Sequence, residues 1–113
     1  MHEMSIAEGI LDIALDYAAK NGGRVKKVGL ILGEMSGVET EALDFAWDII
    51  TKGTAAEGAK LESRRTELIG RCQKCGREGH VENYNFFCPA CGGVVEILSG
   101  RELKVEYLDL DEE

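Results

Sequence analysis

The chain reads as an α+β protein: a two-layer domain of two helices on a three-stranded sheet, with an inserted four-cysteine module of the zinc-ribbon kind. Three observations predict this class. Apolar residues recur at helical period over residues 6–18 and again over 42–50. Strand-like stretches rich in branched residues lie outside those two segments. All four cysteines fall in two Cys-x-x-Cys pairs, Cys72/Cys75 and Cys88/Cys91, within the last half of the chain. Helices and strands that each bury one face are satisfied by stacking as two layers. A chain of 113 residues has room for one such domain and a small metal module. The expected division is 1–70 plus 96–113 for the discontinuous helix/sheet domain and 71–95 for the cysteine module.

The first helix announces itself at Ser5-Ile6-Ala7-Glu8, which fits a capping box, so a start near Ser5 is expected. Ile6, Ile10, Ile13, Ala14 and Tyr17 form an apolar stripe with Leu11 and Ala18 on its flank; Asp12, Asp16 and Lys20 occupy the opposite side. Asn21-Gly22-Gly23 tolerates the left-handed conformation of a helix end and stops the helix near Lys20. Val25 to Leu32 then reads as a strand, with Val28, Leu30 and Leu32 on one face. After the loop Gly33–Gly37, Ser36 and Glu39 offer a second capping box before a helix carrying Ala42, Leu43, Ala46, Trp47, Ile49 and Ile50, ended by Gly53. Leu61 to Ile69, charged and poorly alternating, is read as an edge strand. Val94 to Leu98 and Leu103 to Tyr107 read as strand around a Ser99-Gly100 turn, and the acidic tail from Asp109 is expected to fray.

Two Cys-x-x-Cys turns separated by twelve residues present four thiolates to one ion, and zinc is the default occupant of such a tetrahedral sulfur site. Gly76 and Gly92, each just after a second cysteine, allow the tight turn this needs. Iron held by four cysteines has the same ligands. Two disulfides would suit an oxidising compartment, but the first apolar stretch is broken by Glu8, Asp12 and Asp16 and does not read as a secretory signal. Between Cys72 and Cys91 the apolar side chains are few, so the metal is expected to supply most of the module's folding free energy. A closed four-thiolate site is structural and offers no open position to a substrate.

Composition narrows the function. The chain is 44% hydrophobic and 30% charged, with no apolar run long enough to cross a bilayer, and a cytoplasmic location is expected. Its net charge of −8 repels nucleic-acid phosphates, and Arg64, Arg65, Arg71, Lys74 and Arg77 are interleaved with Glu62, Glu67, Glu78 and Glu82. Neither nucleic acid nor membrane is an expected partner. No catalytic constellation stands out: there is no Gly-rich phosphate loop, no cysteine outside the two pairs and no serine in a nucleophile motif.

The first three residues have a coordination chemistry of their own. The terminal amine of Met1, the amide nitrogen of His2 and its imidazole can close two fused chelate rings around one ion, a planar arrangement that suits Ni(II) or Cu(II) better than zinc. Glu3 adds a carboxylate. The amine is mostly protonated near neutrality, its ordinary pKa being about 7.7–8.0, so metal uptake should release protons and weaken as pH falls.

Met1-His2-Glu3-Met4-Ser5, Leu32-Gly33-Glu34 after a strand, Val38-Glu39 leading into a helix, and the late Cys-x-x-Cys pairs together resemble the HypA/HybF family of hydrogenase-maturation nickel metallochaperones. The resemblance spans essentially the whole chain. It implies a nickel-binding α/β domain with a separate zinc domain, and a protein that is not an enzyme but binds Ni(II) at its N-terminus and delivers it to the nickel-iron centre of a hydrogenase. It implies nickel ligands at His2 and Glu3, which the Met1 amine of the chelate completes, with His80, the sole histidine in the cysteine module, as a further candidate ligand, and zinc at Cys72, Cys75, Cys88 and Cys91. The implied partners are an accessory GTPase of hydrogenase maturation and the hydrogenase large subunit or other maturation factors. The competing reading is a zinc-ribbon interaction adaptor whose N-terminus is inert.

Overall fold

The structure, a computed structural model, describes residues 3–111. Its element order is α1 (Glu3–Asn21), β1 (Arg24–Gly33), a 3-10 turn (Glu34–Ser36), α2 (Thr40–Ile50), β2 (Lys60–Thr66), β3 (Ile69–Cys72), β4 (Glu78–His80), a second 3-10 turn (Glu82–Tyr84), β5 (Val95–Ser99) and β6 (Leu103–Asp111). Two three-stranded sheets result, ordered β2-β1-β6 and β4-β3-β5. The chain separates into two compact units, residues 1–31, 37–64 and 104–113 in one and 32–36 and 65–103 in the other. None of the described helices is long and apolar enough to cross a membrane.

In the first unit, α1 packs on α2. The buried side chains are Ala7, Ile10, Leu11, Ala14 and Ala18 from α1, Val25, Val28, Leu30 and Ile31 from β1, and Leu43, Ala46 and Trp47 from α2. The α1 stripe is thus rotated from the expected one. Ile13 and Tyr17 are about half exposed, at 52% and 44%, while the alanine edge is buried. Helices with small side chains at the contact approach more closely, and the alanines win the interior on that ground. Trp47, fully buried, donates its indole N–H to the Ala59 carbonyl at 3.0 Å and so fixes the loop after α2.

The helix ends differ from their sequence signatures in one respect. At the α1 C-terminus the Asn21 side chain donates to Tyr17 O and the Gly22 N–H to Ala18 O, as the Asn-Gly-Gly run predicts. Neither expected capping box is used: α1 already begins at Glu3, and Ser36 closes a 3-10 turn, leaving Glu39 as the α2 N-cap with no side-chain cap of its own. The Glu39 N–H instead donates to Glu3 Oε2 at 3.3 Å. A carboxylate from a distant turn of sequence satisfies the orphan amide that a local serine was expected to take.

Tyr107 of β6 lies over Gly29 of β1, where any β-carbon would overlap its ring, and its hydroxyl donates to Glu62 on β2. Gly29 is therefore in the strand to admit an aromatic ring, which restores the packing a glycine forfeits.

The expected strand Leu61–Ile69 is two strands in two sheets. It breaks at Glu67-Leu68, where the Glu67 carbonyl accepts from Ser99 Oγ and the Leu68 N–H donates to Glu34 Oε1. Side-chain partners thus replace the ladder at the break. Val95–Ser99 pairs antiparallel with β3, Cys72 opposite Val95 and Arg71 opposite Glu96, while β4 pairs on the other side of β3, Arg71 opposite Glu78. These three strands carry the cysteine turns and run outward from them to Ile69 and Ser99.

Candidate metal centre

Each cysteine pair sits in a one-turn knuckle of the same construction. In the first, the Gly76 N–H donates to Cys72 O and the Cys72 N–H to Arg77 O; in the second, the Gly92 N–H donates to Cys88 O and the Cys88 N–H to Gly93 O. Gly76 and Gly92 take φ of +80° and +78°, the left-handed region their type admits without strain. The knuckles bring all four Sγ atoms within 4.8 Å of one another. Cys72 Sγ lies 3.5 Å from Cys91 Sγ and Cys75 Sγ 3.7 Å from Cys88 Sγ.

Those separations exclude disulfides among the four cysteines. A disulfide brings sulfurs to about 2.05 Å, and here all four cysteines are free thiols. A tetrahedron with Zn–S bonds of ~2.3 Å places its sulfurs about 3.8 Å apart. The four-cysteine cluster fits structural zinc. Bound there, zinc cross-links the two knuckles, and with four sulfurs on it no position remains for a substrate.

The backbone prepares the first sulfur of each pair to carry charge. Cys72 Sγ accepts from the Cys75 and Lys74 N–H groups at 3.4 and 3.3 Å, and Cys88 Sγ accepts from the Ala90 N–H at 3.4 Å. The Cys75 N–H chiefly, with Lys74 and the neighbouring thiols, brings the Cys72 thiol down to about 6 despite its burial. The Ala90 N–H likewise lowers Cys88. Cys91 moves the other way: the Gly93 N–H lowers it, but Cys72, burial and the remaining thiols outweigh that and push it up to about 11. Ionised sulfurs crowded this closely favour one another's protonation unless a cation shares them. Cys72 and Cys88 are buried, Cys75 and Cys91 exposed.

Gly93 is a further residue of this centre that sequence reasoning missed. A β-carbon there would stand 2.9 Å from Cys72 Sγ. Its signal was the doubled Gly92-Gly93, of which only the first takes the positive φ the turn requires.

The sequence-predicted nickel residues are placed unevenly. Met1 and His2 lie outside the described residues; Glu3 is the first residue of α1, tied through Oε2 to the Glu39 amide. His80, at the end of β4, is held by two carboxylates: Nε2 lies 2.8 Å from Glu34 Oε1 and Nδ1 3.0 Å from Glu82 Oε1. Glu34, then Glu82, raise the imidazole's pKa. The Leu68 N–H first, then His80, lower that of Glu34. Glu34 is the residue whose role the sequence did not show; it joins the 3-10 turn to Leu68 and His80.

Comparison with known proteins agrees with this geometry. Residues 1–110 match the family model described as HypA, hydrogenase/urease nickel incorporation, metallochaperone. The chain is 40% identical over 112 residues to the hydrogenase maturation factor HypA of Geotalea uraniireducens strain Rf4, covering 98% of this chain and 100% of that one. It is 41% identical over 113 residues to that of Chlorobaculum tepidum, with the same coverage. Among solved structures, the fold matches the solution structure of the Ni metallochaperone HypA from Helicobacter pylori with a TM-score of 0.68 at 20% identity, covering all of both chains. A second HypA solution structure matches with a TM-score of 0.75 at 20% identity, covering 100% of this chain and 98% of the other. The family is one of maturation factors that bind nickel, not of enzymes, and with its cysteine knuckles and full-length match this chain belongs to it: the HypA family of hydrogenase/urease nickel-incorporation metallochaperones.

Proposed function

We propose that this chain takes up one Ni(II) ion at Met1-His2-Glu3 and hands it on during assembly of a nickel-iron hydrogenase, while Cys72, Cys75, Cys88 and Cys91 hold a resident zinc. The observation that carries the reading is the family match from residue 1 onward, over a sequence whose first residues have the nitrogens a chelate needs. The Met1 amine, the His2 amide nitrogen and the imidazole surround the cargo ion in one plane. Each nitrogen must lose or lack a proton to bind, so uptake releases protons. A site of few ligands at a chain end exchanges readily, as a donor requires, whereas the sulfur cage retains its metal.

A hydrogenase maturation factor works with other maturation factors. The partners proposed here are the accessory GTPase of that pathway and the hydrogenase large subunit, and the proposed compartment is the cytoplasm. His80 is the one further candidate ligand, and it joins the set only by giving up a carboxylate contact.

Metal analysis of the zinc-loaded protein tests the reading. About one Ni(II) per chain is expected, with His2→Ala abolishing uptake at unchanged zinc content and acetylation of the leading amine doing the same. Full nickel loading in either case would overturn the N-terminal assignment. His80→Ala separates the histidine's role: unchanged nickel affinity removes it from the ligand set.

A further inference from the structure

The outer side of α2 combines exposed apolar groups with carboxylates that form no ion pair among the described residues. Because the helix turns Leu43, Ala46 and Trp47 inward, Glu41, Asp44, Phe45, Asp48 and Ile49 are left exposed. Phe45 is 69% and Ile49 45% exposed, and four residues apart they make one ridge. Asp44 and Asp48, also four apart, run beside it. With Trp47, Ala59 and Leu61 they line an open groove of about 300 Å3.

Among the described residues no cation pairs with Glu41, Asp44 or Asp48. Lys60, which also lines the groove, acts instead on Glu62, whose carboxyl it helps to lower. Burial first, then Asp48 and Glu41, hold the Asp44 carboxyl above its ordinary value. The outer face of α2 thus sets three carboxylates beside the exposed Phe45 ring, with Lys60 across the groove from Asp44 and Asp48, a pairing of apolar and charged groups found at the centre and rim of protein interfaces.

We propose that this face docks a basic amphipathic helix of a partner protein, its apolar row covering Phe45 and Ile49 and a Lys or Arg side chain lying in the groove beside Asp44 and Asp48. Rows at three- and four-residue spacing on a partner helix advance by about 6 Å, the same step as the two rows of α2. Leu61 gives the aliphatic stem of the basic side chain an apolar wall, and the carboxylates receive its head. A second copy of the chain fits poorly, because a two-fold contact through this face would set Glu41, Asp44 and Asp48 against like charges.

The test uses a synthetic amphipathic peptide of about four helical turns, a leucine row flanked by Lys and Arg, and a counterpart with Glu at the basic positions. Each is titrated into the full, zinc-loaded chain. Trp47, the sole tryptophan and part of the groove wall, reports binding by its fluorescence. Saturable binding is expected for the basic peptide and none for the acidic one. Asp44→Asn/Asp48→Asn should weaken it about tenfold, as should Phe45→Ser. Asp12→Asn/Asp16→Asn on α1, an equal change of net charge, should leave it within about twofold. All substituted residues are exposed, and zinc content with far-UV circular dichroism verifies folding. Equal weakening by the two charge variants would reduce the effect to general attraction and overturn the proposal, as would absence of binding. A dimer dissociated by Phe45→Ser would overturn it in favour of a second copy.

Discussion

Substituting Gly93 by alanine tests whether the sulfur cluster is as tightly built as its distances imply. The added β-carbon would stand 2.8 Å from Lys74 Cβ, 2.9 Å from Cys72 Sγ and 3.4 Å from Cys91 Sγ. Gly93 is not in the left-handed region, so alanine brings no backbone strain of its own and the whole effect falls on its neighbours. Zn–S bonds of ~2.3 Å do not stretch by the several tenths of an ångström required. Either Cys72 leaves its tetrahedral position or the first knuckle shifts with Lys74. Overpacking of this kind costs about 1–3 kcal/mol, which is about 5- to 150-fold in zinc affinity. Competition with a chromophoric chelator measures it. Gly92→Ala is the comparison: at φ +78° with open space around it, it strains the turn without touching a sulfur. A Gly93→Ala protein whose zinc affinity stays within about twofold of wild type would refute the reasoning.

Other consequences concern charge and metal removal. Tyr107 donates to Glu62, and this contact first, then burial and the acidic neighbours, push the phenol up to about 12. The stability it contributes is complete below the ordinary phenol range near pH 10 and is lost as pH rises towards 12. Tyr107→Phe should remove that alkaline slope from denaturation curves, and an unchanged slope would count against the contact. His80, raised chiefly by Glu34, should contribute stability that is full below about pH 6.5 and lost as pH rises through its higher folded value. Glu34→Gln should bring the imidazole titration down in NMR; an unmoved midpoint would separate the two residues. Stripping the metal with a chelator should cost β3, β4 and β5 their hydrogen-exchange protection while α1, α2 and β1 keep theirs. Over residues 65–103 the buried apolar side chains are Leu68 and Val81 besides Cys72 and Cys88, too few to hold three strands in place. Undiminished protection in those strands would show that the module folds without its ion.

How far sequence carried the structure depended on whether the signal was local. The knuckles were legible to the residue, since Cys-x-x-Cys-Gly needs only its own turn: Gly76 and Gly92 adopt positive φ, and the sulfurs meet at 3.5–3.7 Å. Both helices were legible from their period, and the Asn21-Gly22 stop from its chemistry. Where a residue's partner lies far along the chain, the local signal misled. Ser36 has the type of a cap, but Glu3 takes the amide it would have served. The stretch Leu61–Ile69 has no internal mark of its break, because Glu34 and Ser99 impose it.

Sequence by itself determined the sulfur cluster: which side chains are thiols and at what spacing they recur, because ligand identity and knuckle geometry are fixed within four or five residues. The tertiary structure decided what depends on contacts across the chain. It chose the alanine edge of α1 for the interior over Ile13 and Tyr17, bound His80 between Glu34 and Glu82, and put Gly93 against the sulfurs. A helix has several faces apolar enough to bury and a carboxylate several amides it can reach, and only packing, which sums interactions over the whole fold, selects among them.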